Sequence, residues 1–244
     1  MIGWRGHLGY IAPAIQAGRM VREFYDVVPE GVDISFATLT VHKIARDEMD
    51  GLKQPMLDAA RLLALRQVDA IYLAGLPPIV IGKPGYDREL VAAMEDLTER
   101  PCCTAATGVM AACRALGIRR LVMAAPFEEW VINAIKSYYA AAGLDIVHMK
   151  GMPLVTGTER FALPLDLEYT FTRQVFRECA EDVDGIYIPC GGWGTAHNIE
   201  RLEQDLGKPV VTWFNNMIWW FLSNRGVKAP IRGFGSLLAS LGAG

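Results

Sequence analysis

The sequence predicts an α/β fold of two pseudo-symmetric lobes, each a mainly parallel sheet flanked by helices. Two observations support this prediction: short apolar segments alternate with longer helical segments along the 244 residues, and one stretch of the chain occurs twice. Alternating strands and helices are typical of parallel sheets that helices cover on both faces. The repeat indicates that the same arrangement occurs once in each lobe.

The predicted strands and helices follow one another in order along the chain. Short apolar runs indicate buried strands, and longer segments with apolar residues three or four positions apart indicate helices. The strands are expected near residues 8–12, 32–39, 69–74, 101–103, 119–124, 145–149, 184–189 and 209–212. The helices are expected near residues 18–27, 47–66, 86–98, 105–116, 128–142, 165–181, 196–206 and 214–225. The last helix is the most apolar, and we interpret it as buried in the core or at a subunit interface.

The internal repeat is clearest where two predicted strands end in loops. The segment Asp69-Ala-Ile-Tyr-Leu-Ala-Gly75 reappears as Asp184-Gly-Ile-Tyr-Ile-Pro-Cys190, 115 residues further along the chain. The segment Arg100-Pro-Cys-Cys-Thr104 reappears as Lys208-Pro-Val-Val-Thr212. We interpret the repeat as a duplication of an α/β half; the alternative is that two buried strands rich in Ile and Tyr merely look alike. Loops after strands are where α/β sheets place their sites, and here only the second copy carries a thiol.

The duplication predicts where the two lobes begin and end. The first lobe is expected to comprise residues 1–103 plus 226–244, and the second, which carries the cysteine, residues 104–225. No linker separates them, so we expect the lobes to pack closely, with the active site in the cleft between them.

Composition and charge exclude several classes of function. The chain is 52% hydrophobic with a net charge of −3, and it has no basic stripe that would predict nucleic-acid binding. No apolar run reaches the roughly 18 to 20 residues that span a bilayer, and no secretory signal is evident at the N-terminus. Five cysteines without framework spacing fit a reducing cytoplasm. We therefore expect a cytoplasmic protein with neither a membrane nor nucleic acid as a partner, and the composition is compatible with a homo-oligomer.

Motifs for metals and nucleotides are absent from the sequence. Neither Cys-x-x-Cys nor His-Glu-x-x-His occurs, and the run Gly191-Gly192-Trp193-Gly194 lacks the order of a dinucleotide fingerprint. We expect no metal and no cofactor. The glycine run does follow Cys190 and precede a helix expected to begin near Thr195. Its backbone amides and the helix dipole suit a carboxylate or an enolate oxygen.

Cys190 is the predicted catalytic residue, because it combines a strand-end position with this glycine run. The alternative is that Cys190 is a buried small hydrophobic residue, as free cysteines often are.

Several motifs in order resemble the arylmalonate decarboxylase and maleate cis-trans isomerase branch of the aspartate/glutamate racemase superfamily. They include Pro189-Cys190-Gly191-Gly192, the run from Ile199 to Val211, the segment from Ala105 to Leu121, and Pro126-Phe127. The resemblance extends from about Gly9 to Gly226. It implies two pseudo-symmetric α/β lobes, each contributing one catalytic position to the cleft.

The resemblance also implies a type of reaction. Racemases and maleate isomerases of this type carry cysteine at both strand-end positions, whereas arylmalonate decarboxylases carry glycine at the first. Gly75 and Cys190 match the decarboxylase pattern. The implied function is cofactor-independent decarboxylation of a malonate-type acid, with Cys190 as proton donor to an enediolate. The alternatives are a maleate-type isomerase or racemase and a catalytically silent relative that binds a small carboxylic acid.

The implied substrate site departs from the family pattern at the positions that hold a carboxylate. Hydroxyl residues follow the first glycine in decarboxylases, but Leu76 and Pro77 follow it here, and a further tyrosine is replaced by Phe127. The residues expected to contact substrate are Pro13, Gly75, Leu76, Pro77, Phe127, Gly191, Gly192 and Trp193. Replacement donors could come from Thr40, His42, Lys43, Thr104, Thr107 or Asn215, although strand-to-helix joints and helix caps also explain these residues.

Overall fold

Each half of the chain folds around a four-stranded parallel sheet with helices packed against it, which confirms the α/β class. The computed structural model describes residues 3–13, 18–49, 51–82, 85–193 and 196–242. The chain divides into two units, Met1–Gly108 and Val109–Gly244.

The first unit contains strands β1 to β4 in the order β2-β1-β3-β4, and all neighbours are parallel. The strands are β1 (Gly6–Ala12), β2 (Val32–Thr38), β3 (Ala70–Leu73) and β4 (Cys102–Thr104). The helices are α1 (Gly18–Val27), α2 (Arg46–Met49), α3 (Lys53–Leu65), α4 (Pro77–Val80) and α5 (Tyr86–Thr98), and α6 (Ala105–Ala115) crosses into the second unit.

The second unit repeats this arrangement with strands β5 to β8 in the order β6-β5-β7-β8, again all parallel. The strands are β5 (Arg120–Ala125), β6 (Asp145–Gly151), β7 (Gly185–Ile188) and β8 (Val210–Thr212). The helices are α7 (Glu129–Ala141), α8 (Gly157–Phe161), α9 (Leu165–Glu178), α10 (Ile199–Leu206), α11 (Trp213–Asn224) and α12 (Ser236–Ala239). Two 3-10 turns, Gly191–Trp193 and Ala196–Asn198, lie between β7 and α10.

The acidic residue that opens each repeated strand has the same role in both units. The Asp69 carboxylate accepts the backbone N–H of His7 at the start of β1, at 2.7 Å. The Asp184 carboxylate accepts the N–H groups of Arg119 and Arg120 at the start of β5, both at 2.9 Å. These bonds hold the pKa of Asp184 below its ordinary value. The carboxylate therefore anchors the neighbouring strand, which explains why both copies begin with aspartate.

The equivalence extends to the helix that precedes the last strand of each sheet. Glu95 on α5 accepts the N–H of Cys102 at 3.0 Å, and Glu203 on α10 accepts the N–H of Val210 at 2.9 Å. In both copies the residue four positions after the glutamate ends the helix in the left-handed conformation. The hydrogen bonds therefore support a duplicated half rather than a chance likeness of two strands.

The strand order fixes where each unit can place a site. Strands are added to opposite sides of the first sheet on either side of the pair β1/β3, and the same holds for the pair β5/β7 in the second sheet. The loops that follow the two strands of such a pair diverge and leave a crevice. Pro13 and Gly75 follow β1 and β3 in the first unit. Phe127 and Cys190 follow β5 and β7 in the second. The candidate residues thus lie at the switch point of their own sheet.

Most predicted elements are present, and the differences concern short helices. The single helix expected over 47–66 is divided into α2 and α3, with Gly51 between them at φ +83°. Helices α4, α8 and α12, of four or five residues, were not predicted. The helix expected from 196 begins as a 3-10 turn, and its predicted start near Thr195 lies outside the described residues.

The C-terminal tail packs on the second unit, whereas the sequence analysis assigned residues 226–244 to the first lobe. Helix α12 contacts α11 and β8, and its Leu237 and Leu238 are fully buried. The Glu203 carboxylate also accepts the backbone N–H of Ser236 at 2.8 Å and its hydroxyl at 2.9 Å. Burial of the leucines and the bonds to Glu203 fix the described part of the tail there.

Helix α11, the most apolar segment, belongs to the core of the second unit. Phe214, Met217, Ile218 and Phe221 have no exposed surface. Within the described residues, no helix has the length and apolar character needed to span a membrane.

Candidate active site

Cys190 lies in the loop directly after β7 and is almost completely buried. Its side chain is 6% exposed, and the thiol is free. The backbone N–H of Gly192 donates a hydrogen bond to Sγ at 3.3 Å. The sequence analysis expected the backbone amides of the glycine run to suit an anion. The amide of Gly192 contacts the thiol of Cys190 itself.

Close approach explains the two glycines after the cysteine. A Cβ atom on Gly192 would lie 2.9 Å from Cβ of Arg160 and 3.3 Å from its carbonyl carbon. A Cβ atom on Gly191 would lie 3.3 Å from the indole ring of Trp213. The absence of side chains at 191 and 192 thus allows Arg160 and Trp213 to pack against the loop that carries the thiol.

Arg160 is a buried cation next to this loop, on the short helix α8. The helix begins with a capping box, in which Thr156 and Glu159 bond to each other's backbone N–H. The guanidinium Nη1 donates to the carbonyl oxygens of Leu154 and Val155, both at 3.1 Å, and Cζ lies 5.7 Å from the ring centroid of Phe127. Only 9% of the residue is exposed. The structure therefore places a fixed positive charge next to the loop that follows β7 and carries Cys190.

The electrostatic surroundings favour the protonated thiol. Burial raises the pKa of Cys190, and the charge of Glu168 raises it further. The positive charge of Arg160 and the N–H of Gly192 act in the opposite direction, but the net pKa stays above its ordinary value. Burial also lowers the pKa of Arg160. At neutral pH the Cys190 thiol is therefore an acid with a proton to deliver.

Trp213 contributes a buried donor beside the same loop. The residue follows Thr212, which caps α11 together with Asn215 in a second capping box. Its side chain is 7% exposed, and its indole N–H has no hydrogen-bond partner within the described part of the chain. A buried donor without an acceptor costs free energy, so this N–H is available to an acceptor that binds beside the loop.

In the first unit, Gly75 and Pro13 lie in contact at the other switch point. Gly75 has φ +89°, and a Cβ atom there would lie 2.5 Å from Cγ of Pro13. Leu76 and Pro77 begin the short helix α4 and are buried. Neither of them offers a side-chain hydrogen-bond donor, as the sequence predicts.

The predicted site residues form two groups, one in each unit. In the second unit, Gly192 and Phe127 lie next to Arg160, and Cys190 and Gly191 belong to the same loop as Gly192. In the first unit, Pro13, Gly75, Leu76 and Pro77 lie together. The side chain of Trp193 lies outside the described part, as do residues 194 and 195.

The proposed replacement donors act mainly in local structure. Thr104 and Thr107 bond to each other at the start of α6, and the Asn215 side chain bonds to the backbone of Thr212 and Val210. The backbone N–H groups of His42 and Lys43 donate to the Glu48 carboxylate. The side-chain bonds at 104, 107 and 215 favour the capping interpretation over substrate binding.

Sequence reasoning missed Arg160 and Trp213. The pattern Thr156-x-x-Glu159 is a capping box that could have predicted α8, but no local signal places a helix of five residues next to Cys190. Among the described residues, no group of three or more His, Cys, Asp or Glu side chains could hold a metal ion.

Two equivalent parallel sheets, with a buried thiol after the third strand of the second, are the arrangement that the resemblance to the aspartate/glutamate racemase superfamily implies. The family model described as arylmalonate decarboxylase matches residues 8–238. The chain therefore belongs to the arylmalonate decarboxylase family.

Known relatives include both decarboxylases and isomerases. The chain is 28% identical over 174 residues to an arylmalonate decarboxylase from Bordetella bronchiseptica, covering 71% of this chain and 72% of the relative. It is 20% identical over 239 residues to a maleate isomerase from Geobacillus stearothermophilus, covering 93% and 90%. A liganded arylmalonate decarboxylase mutant, with glycine replaced by cysteine and cysteine by serine, matches the fold with a TM-score of 0.86. That structure is 24% identical, and the match covers 95% of this chain and 98% of the other.

Proposed function

We propose that this protein decarboxylates a malonate-type acid and that Cys190 protonates the resulting enediolate. The observation that carries the proposal is the asymmetry between equivalent strand ends: a buried thiol follows β7, and glycine follows β3. One proton donor is sufficient for decarboxylation with protonation, and membership of the arylmalonate decarboxylase family supports that chemistry.

The chemistry balances without a cofactor. Loss of CO2 breaks the bond between the α-carbon and one carboxylate, and the electron pair enters the remaining carboxylate as an enediolate. The S–H bond of Cys190 then breaks, its proton forms the new bond at the α-carbon, and water reprotonates the thiolate. A raised thiol pKa supports this role, because the proton is retained until the basic enediolate forms.

Glycine at position 75 argues against racemisation by paired thiols. Such a reaction needs a second acid or base, and Gly75 carries no side chain. Its positive φ and its contact with Pro13 also leave no room for one without local rearrangement.

A maleate-type isomerisation is the second candidate, because the maleate isomerase relative covers more of the chain than the decarboxylase does. In that reaction Cys190 would act as a thiolate that adds to the double bond. The raised pKa of Cys190 disfavours this form at neutral pH, so we place isomerisation second.

Turnover in D2O distinguishes these candidates. Methyl(phenyl)malonate, 2-phenylpropanoate and maleate are incubated with the wild-type protein, Cys190→Ala and Cys190→Ser, and CO2 release and deuterium incorporation are followed by NMR. We expect CO2 release with a single deuterium at the α-carbon, and a loss of about 10³-fold on removing the thiol. Cys179→Ala, which removes a partly exposed thiol of the same unit, is the matched control and should retain activity.

The other outcomes are equally informative. Conversion of maleate without CO2 release would favour the isomerase. Absence of turnover of all three acids, or full activity of Cys190→Ala, would contradict the proposed enzyme.

A further inference from the structure

We propose that Arg160 binds the carboxylate attached to the carbon that Cys190 protonates. This inference deepens the proposed function and rests on it, because it assumes that a small carboxylic acid binds beside the thiol. Three observations carry it: the position of Arg160, its unused donors, and the residue beneath its guanidinium.

The first observation is position. The backbone of Arg160 packs against Gly192, which in turn donates to the thiol of Cys190. Helix α8 packs on the 3-10 turn Gly191–Trp193, so the cation and the thiol belong to one packed group. The positive charge of Arg160 also lowers the pKa of Cys190, so the guanidinium acts electrostatically on the thiol.

The second observation concerns hydrogen bonds and charge. Nη1 is held by the carbonyls of Leu154 and Val155, which fixes the plane of the guanidinium. Among the described residues, neither Nε nor Nη2 has a hydrogen-bond partner, and the exposed carboxylate of Glu159 raises the pKa of Arg160 without forming an ion pair with it. A largely buried cation without an ion pair is stabilised when an anion binds. The geometry of Nε and Nη2 suits a carboxylate, which accepts two parallel bonds from arginine.

The third observation is the residue beneath the guanidinium. Cζ of Arg160 lies 5.7 Å from the ring centroid of Phe127, which follows β5 at the same switch point as Cys190. Phe127 has no side-chain hydrogen-bond donor, and Arg160 supplies donors beside it together with a full positive charge.

The role follows from the chemistry of the two carboxylates. The carboxylate that leaves as CO2 gives up its charge, whereas the one that stays gains charge as the enediolate forms. A guanidinium beside Cys190 stabilises that developing charge. The substrate class is therefore an acid whose retained carboxylate is one bond from the carbon that is protonated.

Binding of an acid and of its neutral amide tests the proposal. Isothermal titration uses 2-phenylpropanoate and 2-phenylpropanamide with wild-type protein, Arg160→Met, Arg160→Gln and Arg160→Lys. We expect the Met and Gln variants to bind the acid about 10- to 100-fold more weakly, with partial rescue by Lys, while the amide affinity changes little. Arg177→Met removes an exposed arginine of the same unit, and should alter both affinities by less than about 3-fold.

The ratio of the affinity for the acid to the affinity for the amide distinguishes carboxylate binding by Arg160 from a purely structural role. If Arg160 only supports the loop through Leu154 and Val155, both ligands lose affinity equally, and that outcome overturns the proposal. Unchanged acid binding in Arg160→Met overturns it too, as does a wild-type protein that does not bind 2-phenylpropanoate. Since binding needs no turnover, acid binding that depends on Arg160 in a protein that turns over no acid would contradict only the proposed function.

Discussion

At the scale of single residues, the proposed chemistry depends on the Cys190 thiol and the glycines beside it. Burial keeps the thiol protonated, although Arg160 and the Gly192 amide both favour the thiolate. The same two groups would stabilise the thiolate that remains after proton transfer. The surroundings thus suit a group that gives up a proton and regains it in each turnover.

Gly75 offers a stability prediction with a matched control in the same unit. Gly75→Ala introduces a side chain at φ +89° that meets Pro13 at 2.5 Å, whereas Gly51→Ala has a similar φ of +83° and open space around Cβ. We expect Gly51→Ala to lower the free energy of unfolding by about 1 to 2 kcal/mol, the cost of a left-handed alanine. Gly75→Ala should cost about 1 to 3 kcal/mol more, because of the clash.

Urea unfolding of both variants and the wild type measures this difference. Equal losses for the two variants would mean that Pro13 moves aside freely, so that position 75 could accept a cysteine at no further cost.

At the scale of elements, the fully buried apolar strands were predictable and the short helices were not. β3 and β7 are buried at every position, and continuous apolar runs of this kind identify strands from the sequence alone. Helix α8 has only five residues, and its importance comes from packing against Gly192, which no local pattern reports. For that reason the sequence led to Cys190 as a candidate residue, and it did not lead to Arg160.

The duplicated glutamates give a prediction at this scale. Glu203 accepts the N–H of Val210 and both donors of Ser236, whereas its counterpart Glu95 accepts the N–H of Cys102 and has no tail to hold. We expect Glu203→Ala to destabilise the protein by about 1 to 3 kcal/mol and Glu95→Ala by less than about 1 kcal/mol.

Urea unfolding gives these free energies, and limited proteolysis reports whether the tail is released. Equal losses, with a tail that remains protected in Glu203→Ala, would mean that burial of Leu237 and Leu238 alone holds the tail.

At the scale of the whole molecule, the two units share one strand order and differ in the residue that follows the third strand. The equal strand orders and the paired aspartate and glutamate bonds follow from repeated sequence, which is why the architecture could be predicted. The tail could not be assigned, because its partners in α11 and β8 are set by tertiary packing. Duplication preserved the residues that anchor strands, while the strand-end positions diverged to glycine in one unit and cysteine in the other.

Buried thiols make the stability of the molecule sensitive to alkaline pH. Burial raises the pKa of Cys113 to about 12, and that of Cys102 and Cys103 likewise to about 12. In the unfolded chain a thiol ionises near pH 8.5. Because the folded pKa is the higher one, the stabilisation is fully present below about pH 8.5 and is lost as the pH rises towards 12.

Cys113→Ala tests this linkage, since burial alone raises the pKa of that thiol. Above pH 9 each such thiol should reduce the free energy of unfolding by about 1.4 kcal/mol per pH unit. The variant lacks one of these thiols. Its free energy of unfolding should therefore decrease with pH with a slope about 1.4 kcal/mol per pH unit smaller than that of the wild type. Urea titrations at pH 7.5, 9.5 and 10.5 give the two slopes, with the partly exposed Cys179→Ala as the control. Parallel curves for wild type and Cys113→Ala would show that the Cys113 thiol ionises equally in the folded and unfolded states.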